Sequence, residues 1–193
     1  MSAVPSTVPP TAPPTAARGI CVFFTGLSGA GKSTLAAALA AHVETARHRR
    51  VTLLDGDVVR THLSSELGFS RADRDLNIRR IGFVASEVVK HGGLCIVAAI
   101  APYAQARHDA RQIVEAFGDF ALVHVATSLA VCESRDAKGL YARARRGELA
   151  AFTGISDPYE APTDAEITID TGSGSVVDAL RQLLAHPLLA HLA

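Results

Sequence analysis

Tryptophan is absent from the 193 residues, methionine occurs once, and aromatic residues make up 5% of the chain. A core built without large aromatic anchors must be filled by Ala, Val, Leu and Ile. With 48% hydrophobic residues there are enough of them for one compact domain. An excess of either charge is also lacking, since 19 Lys and Arg balance 19 Asp and Glu. Such a chain has no overall field to draw it to nucleic acid or an acidic membrane, so neither partner is expected. No apolar run reaches the roughly 18 residues of a bilayer span. Cysteines are few and odd in number, Cys21, Cys95 and Cys132, and lack the paired spacing of a zinc site. Two lie in apolar, strand-like runs, so buried free thiols in a reducing cytoplasm are expected. Residues 1–18 have neither the basic start nor the apolar block of a secretory signal. Rich in Pro, Ala, Thr and Ser, they are expected to form a mobile tail ahead of one domain over 19–193.

What is present is a repeated alternation. Short, mostly continuous apolar runs at Ile20–Thr25, Val51–Leu54, Leu94–Ile100, Phe120–Ala126 and Ile167–Asp170 read as strands buried on both faces. Helical patterns lie between them at Lys32–Arg47, Val58–Leu67, Asp73–His91, Tyr103–Phe117 and Leu129–Arg146, and Val176–Leu184 closes the chain. The alternation predicts an α/β fold in three layers, a five-stranded parallel sheet flanked by helices. The stretch Arg135–Pro162 is polar, basic and punctuated by Gly and Pro, which makes it a poor core candidate and a good mobile lid.

Gly26-Leu27-Ser28-Gly29-Ala30-Gly31-Lys32-Ser33 matches G-x-x-x-x-G-K-[ST], the P-loop, and stands between a predicted strand and a predicted helix. Glycines let the backbone wrap closely enough for amide N–H groups to meet phosphate oxygens. The helix N-terminus adds partial positive charge, Lys32 can reach the β- and γ-phosphates, and the Ser33 hydroxyl can serve Mg²⁺. Lys32 is thus a candidate catalytic residue and ATP with Mg²⁺ the expected donor. The Leu94–Ile100 run carries no acid. The acids follow the second strand instead, as Asp55 and Asp57, and no N/T-K-x-D guanine signature is present. This combination fits a small-molecule kinase better than a motor or a GTPase switch.

Ligands of open α/β sheets bind at the carboxyl edge of the strands, where Asp55-Gly56-Asp57 falls. Asp57 is positioned to accept a hydroxyl proton or hold magnesium through water, though capping the next helix is an alternative role. Downstream, Arg74, Asn77 and Arg80 recur at intervals of three on one helix. With Arg60 nearby they suit an anionic substrate, whereas alone they would better fit a solvated face paired with Asp73, Asp75 and Glu87.

Taken in order, several segments resemble the adenylylsulfate kinase (APS kinase) family: Gly26–Thr34, Leu54–Arg60, Leu67–Ser70, Arg74–Arg80, Ala101-Pro102-Tyr103, Cys132–Tyr141, Phe152–Ile155 and Pro158-Tyr159-Glu160. The P-loop is shared by many families; the Lys-Gly-Leu-Tyr and Phe-Thr-Gly elements are far more specific. The similarity runs from about Gly19 to Leu184. It implies transfer of the ATP γ-phosphoryl group to the 3′-hydroxyl of adenylyl sulfate (APS), giving PAPS and ADP, and relatives imply a homodimer. It assigns ATP to Gly26 through Thr34 with Arg135, Thr171 and Gly174. It assigns APS to Asp57, Arg60, Phe69, Arg74, Asn77, Arg80, Ile100, Ala101, Lys138, Leu140 and Phe152, and the metal to Ser33 and Asp57. Phe69 and Phe152 would stack on adenine, although core packing is an alternative for each. The chain departs from the family at Val58, where Asn is usual, and at Ala101, where the family has a Ser described as a phosphorylated intermediate. Two other readings are a kinase for a different small molecule and a catalytically silent nucleotide-binding module. The Phe69–Arg80 block with Lys138–Tyr141 argues against the first, and intact Lys32, Ser33 and Asp57 against the second.

Overall fold

Each apolar run becomes a strand, fully buried at Ile20–Thr25 and Leu94–Ala98 and partly exposed at the sheet edge, Val51–Asp55. In the computed structural model, which describes residues 18–193, β1 (Ile20–Thr25), β2 (Val51–Asp55), β3 (Leu94–Ala98), β4 (Asp119–Val125) and β5 (Ile167–Ile169) form one parallel sheet in the order β2-β3-β1-β4-β5. The helices are α1 (Lys32–Ala46), α2 (Gly56–His62), α3 (Arg71–Lys90), α4 (Ala104–Glu115), α5 (Leu129–Arg135), α6 (Leu140–Arg145) and α7 (Val176–Leu184), and a 3₁₀ turn at Ala190–Leu192 follows them. The expected tail over residues 1–17 lies outside the described residues. Arg18, also expected in it, is fastened to the domain through Asp119 at 3.0 Å.

The two-residue period of a strand sorts the side chains into two cores. From β1, Ile20, Val22 and Phe24 join Leu35, Leu39 and Val43 of α1 and Leu183 of α7. Cys21 and Phe23 face the other way, onto Ile81, Ala85 and Val89 of α3 and Ala110 and Val114 of α4. Each fully buried Leu, Ile or Phe contributes about 1.5–3 kcal/mol of transfer free energy. All three cysteines are buried free thiols. Small residues let α3 and α4 approach closely: a Cβ on Gly82 would lie 3.0 Å from both Cα and Cβ of Ala110.

The order of strands fixes where a ligand fits. The β1–β2 crossover runs through α1 on one face of the sheet, and the β3–β4 crossover runs through α4 on the other. Adjacent β1 and β3 therefore send their chains apart at their carboxyl ends and open a crevice there.

Four local expectations are corrected. The single helix over Leu129–Arg146 is two helices. Asp136 leaves the helix and accepts from the amides of Tyr141 and Ala142, both at 3.0 Å, which starts α6 anew. The stretch 135–162 also contributes to the core, because Tyr141, Ala144 and Thr153 are buried. α2 stops at His62, since Arg60 and Arg80 donate to the carbonyls of Leu67, Gly68 and Leu63 and hold 63–68 as a loop. α3 begins at Arg71, capped by the Ser70 hydroxyl accepting from the Asp73 amide at 3.2 Å.

Gly82→Val should press two methyl groups into the backbone of α4. A destabilisation of about 1–3 kcal/mol is expected, read as a fall in Tm of roughly 3–10 °C in calorimetry. An unchanged Tm would show that α4 can move aside without cost.

Candidate active site

The crevice is a cavity of about 680 Å³. Four segments line it: the P-loop and first turn of α1, the β2–α2 junction with α3, the Ala98–Pro102 segment after β3, and residues of 135–141 and 171–179.

On the donor side α1 opens at Gly31 (φ 98°) without any side-chain cap, so its first amides are left for a ligand. Only glycine adopts that backbone angle without strain. Lys32 is 8% exposed, and its ammonium donates to the carbonyls of Gly26 at 2.9 Å and Leu27 at 2.8 Å. Burial pulls its pKa down to about 8, against partial support from the charges of Cys132 and Asp55. Ser28, Gly29, Gly31, Ser33, Thr34, Arg135, Thr171 and Gly174 line this side. Gly26, Leu27 and Ala30 do not: Leu27 packs on the core, and Ala30 is buried beneath the loop.

The two acids divide their tasks differently from expectation. Asp55, the last residue of β2, caps α2 by accepting from the Asp57 amide at 3.0 Å. Its other oxygen accepts the Ser33 hydroxyl at 2.6 Å. Asp57 is not the cap; it is exposed and forms an ion pair with Lys138. Motif position alone did not separate the acids, but the strand end did hold the signal, since the last strand residue points over the sheet edge beside the P-loop.

On the acceptor side Phe69 is 60% exposed, with the guanidinium of Arg60 4.5 Å and that of Arg74 5.6 Å from its ring centre. Burial and then the Arg74 charge lower the Arg60 pKa, so an anion entering here meets two cations that repel each other. Arg74 also spends donors internally, on Phe69 O (2.8 Å), Thr153 Oγ1 (3.0 Å) and Ala151 O (2.6 Å). Asn77 lines the cavity, and its buried Oδ1 has no hydrogen-bond partner in the protein. Ile100 and Ala101 form the opposite wall. Ala101 sits at φ 45°, and its carbonyl accepts from buried Arg107 at 2.7 Å. A non-glycine residue in that region costs about 1 kcal/mol or more and persists only where its surroundings impose it.

Three expected residues stand away from the cavity. Arg80 pairs with Glu66 at 2.6 Å, because six residues at about 100° each carry it roughly 120° round the helix from Arg74. Phe152 meets Tyr141 edge-on at 5.1 Å, which leaves it half-buried against the core. Leu140 starts α6 and does not line the cavity. Arg107 escaped sequence reasoning, since a buried Arg carries no local pattern, while Asp55 and Tyr141 stood inside recognised motifs with no role assigned to them.

Polyphosphate binding favours charged Lys32, which gives a signed pH dependence. Below pH 8 the ammonium is present before binding and affinity is full. As pH rises through about 8, binding must also recover a proton, so ATP affinity should fall by up to about tenfold per unit. Lys32→Ala should flatten that slope in calorimetric titrations and slow phosphoryl transfer on the order of 10³-fold or more. A wild-type affinity flat to pH 10 would contradict the assignment.

The adenylylsulphate kinase family model matches residues 18–170. A protein of Chaetomium globosum named sulfate adenylyltransferase is 49% identical over 167 residues, 86% of this chain and 29% of that protein. The chain thus spans under a third of the length of such fungal relatives. An adenylyl-sulfate kinase from a Synechococcus strain is 49% identical over 174 residues, 90% of this chain and 96% of that one. The Mycobacterium tuberculosis APS kinase, solved with AMPPNP and APS, superposes with a TM-score of 0.82 at 41% identity, covering 87% of this chain and 96% of that one. The family match extends across the P-loop, the Arg60–Asn77 wall and residues 135–162, and on that ground the chain belongs to the adenylylsulphate kinase family.

Proposed function

We propose that this chain transfers the γ-phosphoryl group of ATP directly to the 3′-hydroxyl of APS, giving PAPS and ADP. The observation that carries the reading is one cavity joining an uncapped P-loop helix to a wall of Arg60, Phe69, Arg74 and Asn77. The near full-length relatives named adenylyl-sulfate kinase support the same acceptor. Phosphoryl transfer asks mainly for alignment and charge stabilisation. Lys32 serves the transferred group, the exposed face of Phe69 serves adenine, and Arg60 with Lys138 serves the acidic phosphosulfate.

Ser33 and Asp55 are hard oxygen donors beside the cradle, and one carboxylate with a hydroxyl and phosphate oxygens is a donor set that suits Mg²⁺. Bound there with ATP, magnesium would neutralise charge on the phosphate oxygens. Asp55 is therefore proposed beside Ser33 for the metal, and Asp57 for the acceptor proton. Approach of the phosphosulfate to Lys138 competes with Asp57 and frees that carboxylate to accept the 3′-hydroxyl proton.

Water exclusion is assigned to part of the expected lid. Its far end is pinned: Tyr103 donates to Asp157 at 2.7 Å, Arg107 to the Glu160 carbonyl at 2.6 Å, and Glu160 accepts the Ala104 amide at 2.7 Å. The segment that closes is therefore proposed as residues 136–150, with Gly139 and Gly147 at positive φ as hinges. A reducing cytoplasm suits the three buried thiols. A homodimer is the proposed assembly, which light scattering reads directly.

ADP release with APS should far exceed that with AMP, shikimate or gluconate; a preference for any of these would replace the acceptor. Ala101 has no hydroxyl, so γ-labelled ATP without APS should leave no label on the protein. Ala101→Ser should not raise turnover substantially, and Asp57→Asn should cut it by roughly 10²-fold with ATP binding retained. A chemically competent phosphoenzyme would overturn direct transfer. Hydrogen exchange over residues 136–150 should slow with ADP and APS bound; equal exchange in both states would count against a lid.

A further inference from the structure

A P-loop works only if its amides, not its carbonyls, face the phosphates. Here flexibility opposes that arrangement, because Gly29 (φ 74°) and Gly31 (φ 98°) flank the loop's turn and permit their peptide planes to flip. In the structure every carbonyl from Gly26 to Ala30 is held by a donor. Lys32 takes Gly26 and Leu27. The Tyr141 hydroxyl donates to Ser28 O at 2.8 Å, and Arg135 to Gly29 O at 3.2 Å. Ala30 O accepts from Thr171 at 2.7 Å and Thr127 at 3.1 Å, and these two hydroxyls meet at 2.9 Å.

A trans peptide is rigid, and its C=O and following N–H point opposite ways. A pinned Ser28 carbonyl therefore aims the Gly29 N–H, and a pinned Ala30 carbonyl aims the Gly31 N–H. Gly29 and Gly31 line the cavity, while Ala30 between them does not. Among the described residues no protein acceptor meets the amides of Ser28, Gly29 or Gly31.

We propose that Tyr141, with Thr127 backing Thr171 on the other side of the loop, is a positioning residue that sets the P-loop amides for polyphosphate. Tyr141 is 2% exposed and belongs to α6, inside the segment proposed to close. Its ring is braced edge-on by Phe152. Burial raises the phenol pKa, which keeps the hydroxyl a donor across the working pH range. Seating α6 thus does two things at once: it covers the cavity and locks the cradle. Lys32 leaves its two carbonyls when phosphate arrives, whereas the hydroxyls of Tyr141 and Thr127 are not among the groups assigned to the phosphates.

The inference rests on nucleotide binding at the cradle and not on the identity of the acceptor, so it is read on ADP. Tyr141→Phe keeps the ring and its packing and removes the hydroxyl that clamps Ser28. ADP with Mg²⁺ should bind on the order of five- to tenfold more weakly in calorimetry, the scale of one uncharged hydrogen bond. KM for ATP should rise in step, while KM for APS stays within about twofold and the circular dichroism spectrum is unchanged. Thr127→Val, nearly isosteric, should weaken ADP in the same direction. Wild-type ADP affinity in Tyr141→Phe overturns the proposal, even if Tm falls, because the hydroxyl would then serve packing alone. Equal losses for ADP and APS overturn it as well, as the mark of a general disturbance. Failure of the APS assignment with weakened ADP binding in Tyr141→Phe would leave it standing.

Discussion

A helix that starts at the centre of the molecule with its first amides uncapped is the constraint on which the rest depends. α1 begins one short loop after the middle strand β1, at the cavity, and no side chain caps it. That end carries unsatisfied donors and a buried ammonium whose desolvation has already pulled its pKa down to about 8. Such an end suits a polyanion, which would complete its hydrogen bonds and meet its partial positive charge. Around it stand the loop glycines, the pinned carbonyls and the Ser33–Asp55 contact.

Positive charge on the acceptor side is less available than a count of arginines suggests. Arg74, Arg80 and Arg107 are largely occupied with backbone carbonyls and carboxylates of their own chain. They shape the wall: Arg74 holds the 151–153 turn, and Arg107 joins the strained Ala101 to the Glu160 strap. Arg60 over Phe69 likewise donates to the carbonyls of Leu67 and Gly68, and Lys138 is paired with Asp57, itself a candidate for the chemistry. One ion pair, Lys138 with Asp57, thus joins the stretch between α5 and α6 to the start of α2.

Much of the architecture was legible because both of its periodicities are local. Alternation along β1 alone divides Ile20, Val22 and Phe24 from Cys21 and Phe23, and continuous apolar runs announce strands covered twice. The boundaries that failed were set by side chains reaching back over several residues. Asp136 restarted α6 and Ser70 started α3 early, while Arg80 kept 63–68 out of a helix.

The sequence by itself determined the strand–helix order, the P-loop with Lys32 and Ser33, and the two acids after β2. Each is a matter of spacing within a few residues, and backbone geometry translates such spacing directly into position. Only the tertiary structure decided which acid meets Ser33, that Arg80 turns away from Arg74, and that Phe152 is packed while Phe69 is open. It alone brought Tyr141 to Ser28 and Arg107 to Ala101, the first across 113 residues of chain. The reason is physical: a hydrogen bond to a backbone carbonyl asks for a donor at one point in space, and many side chains from anywhere in the chain satisfy it without leaving a mark in the local pattern.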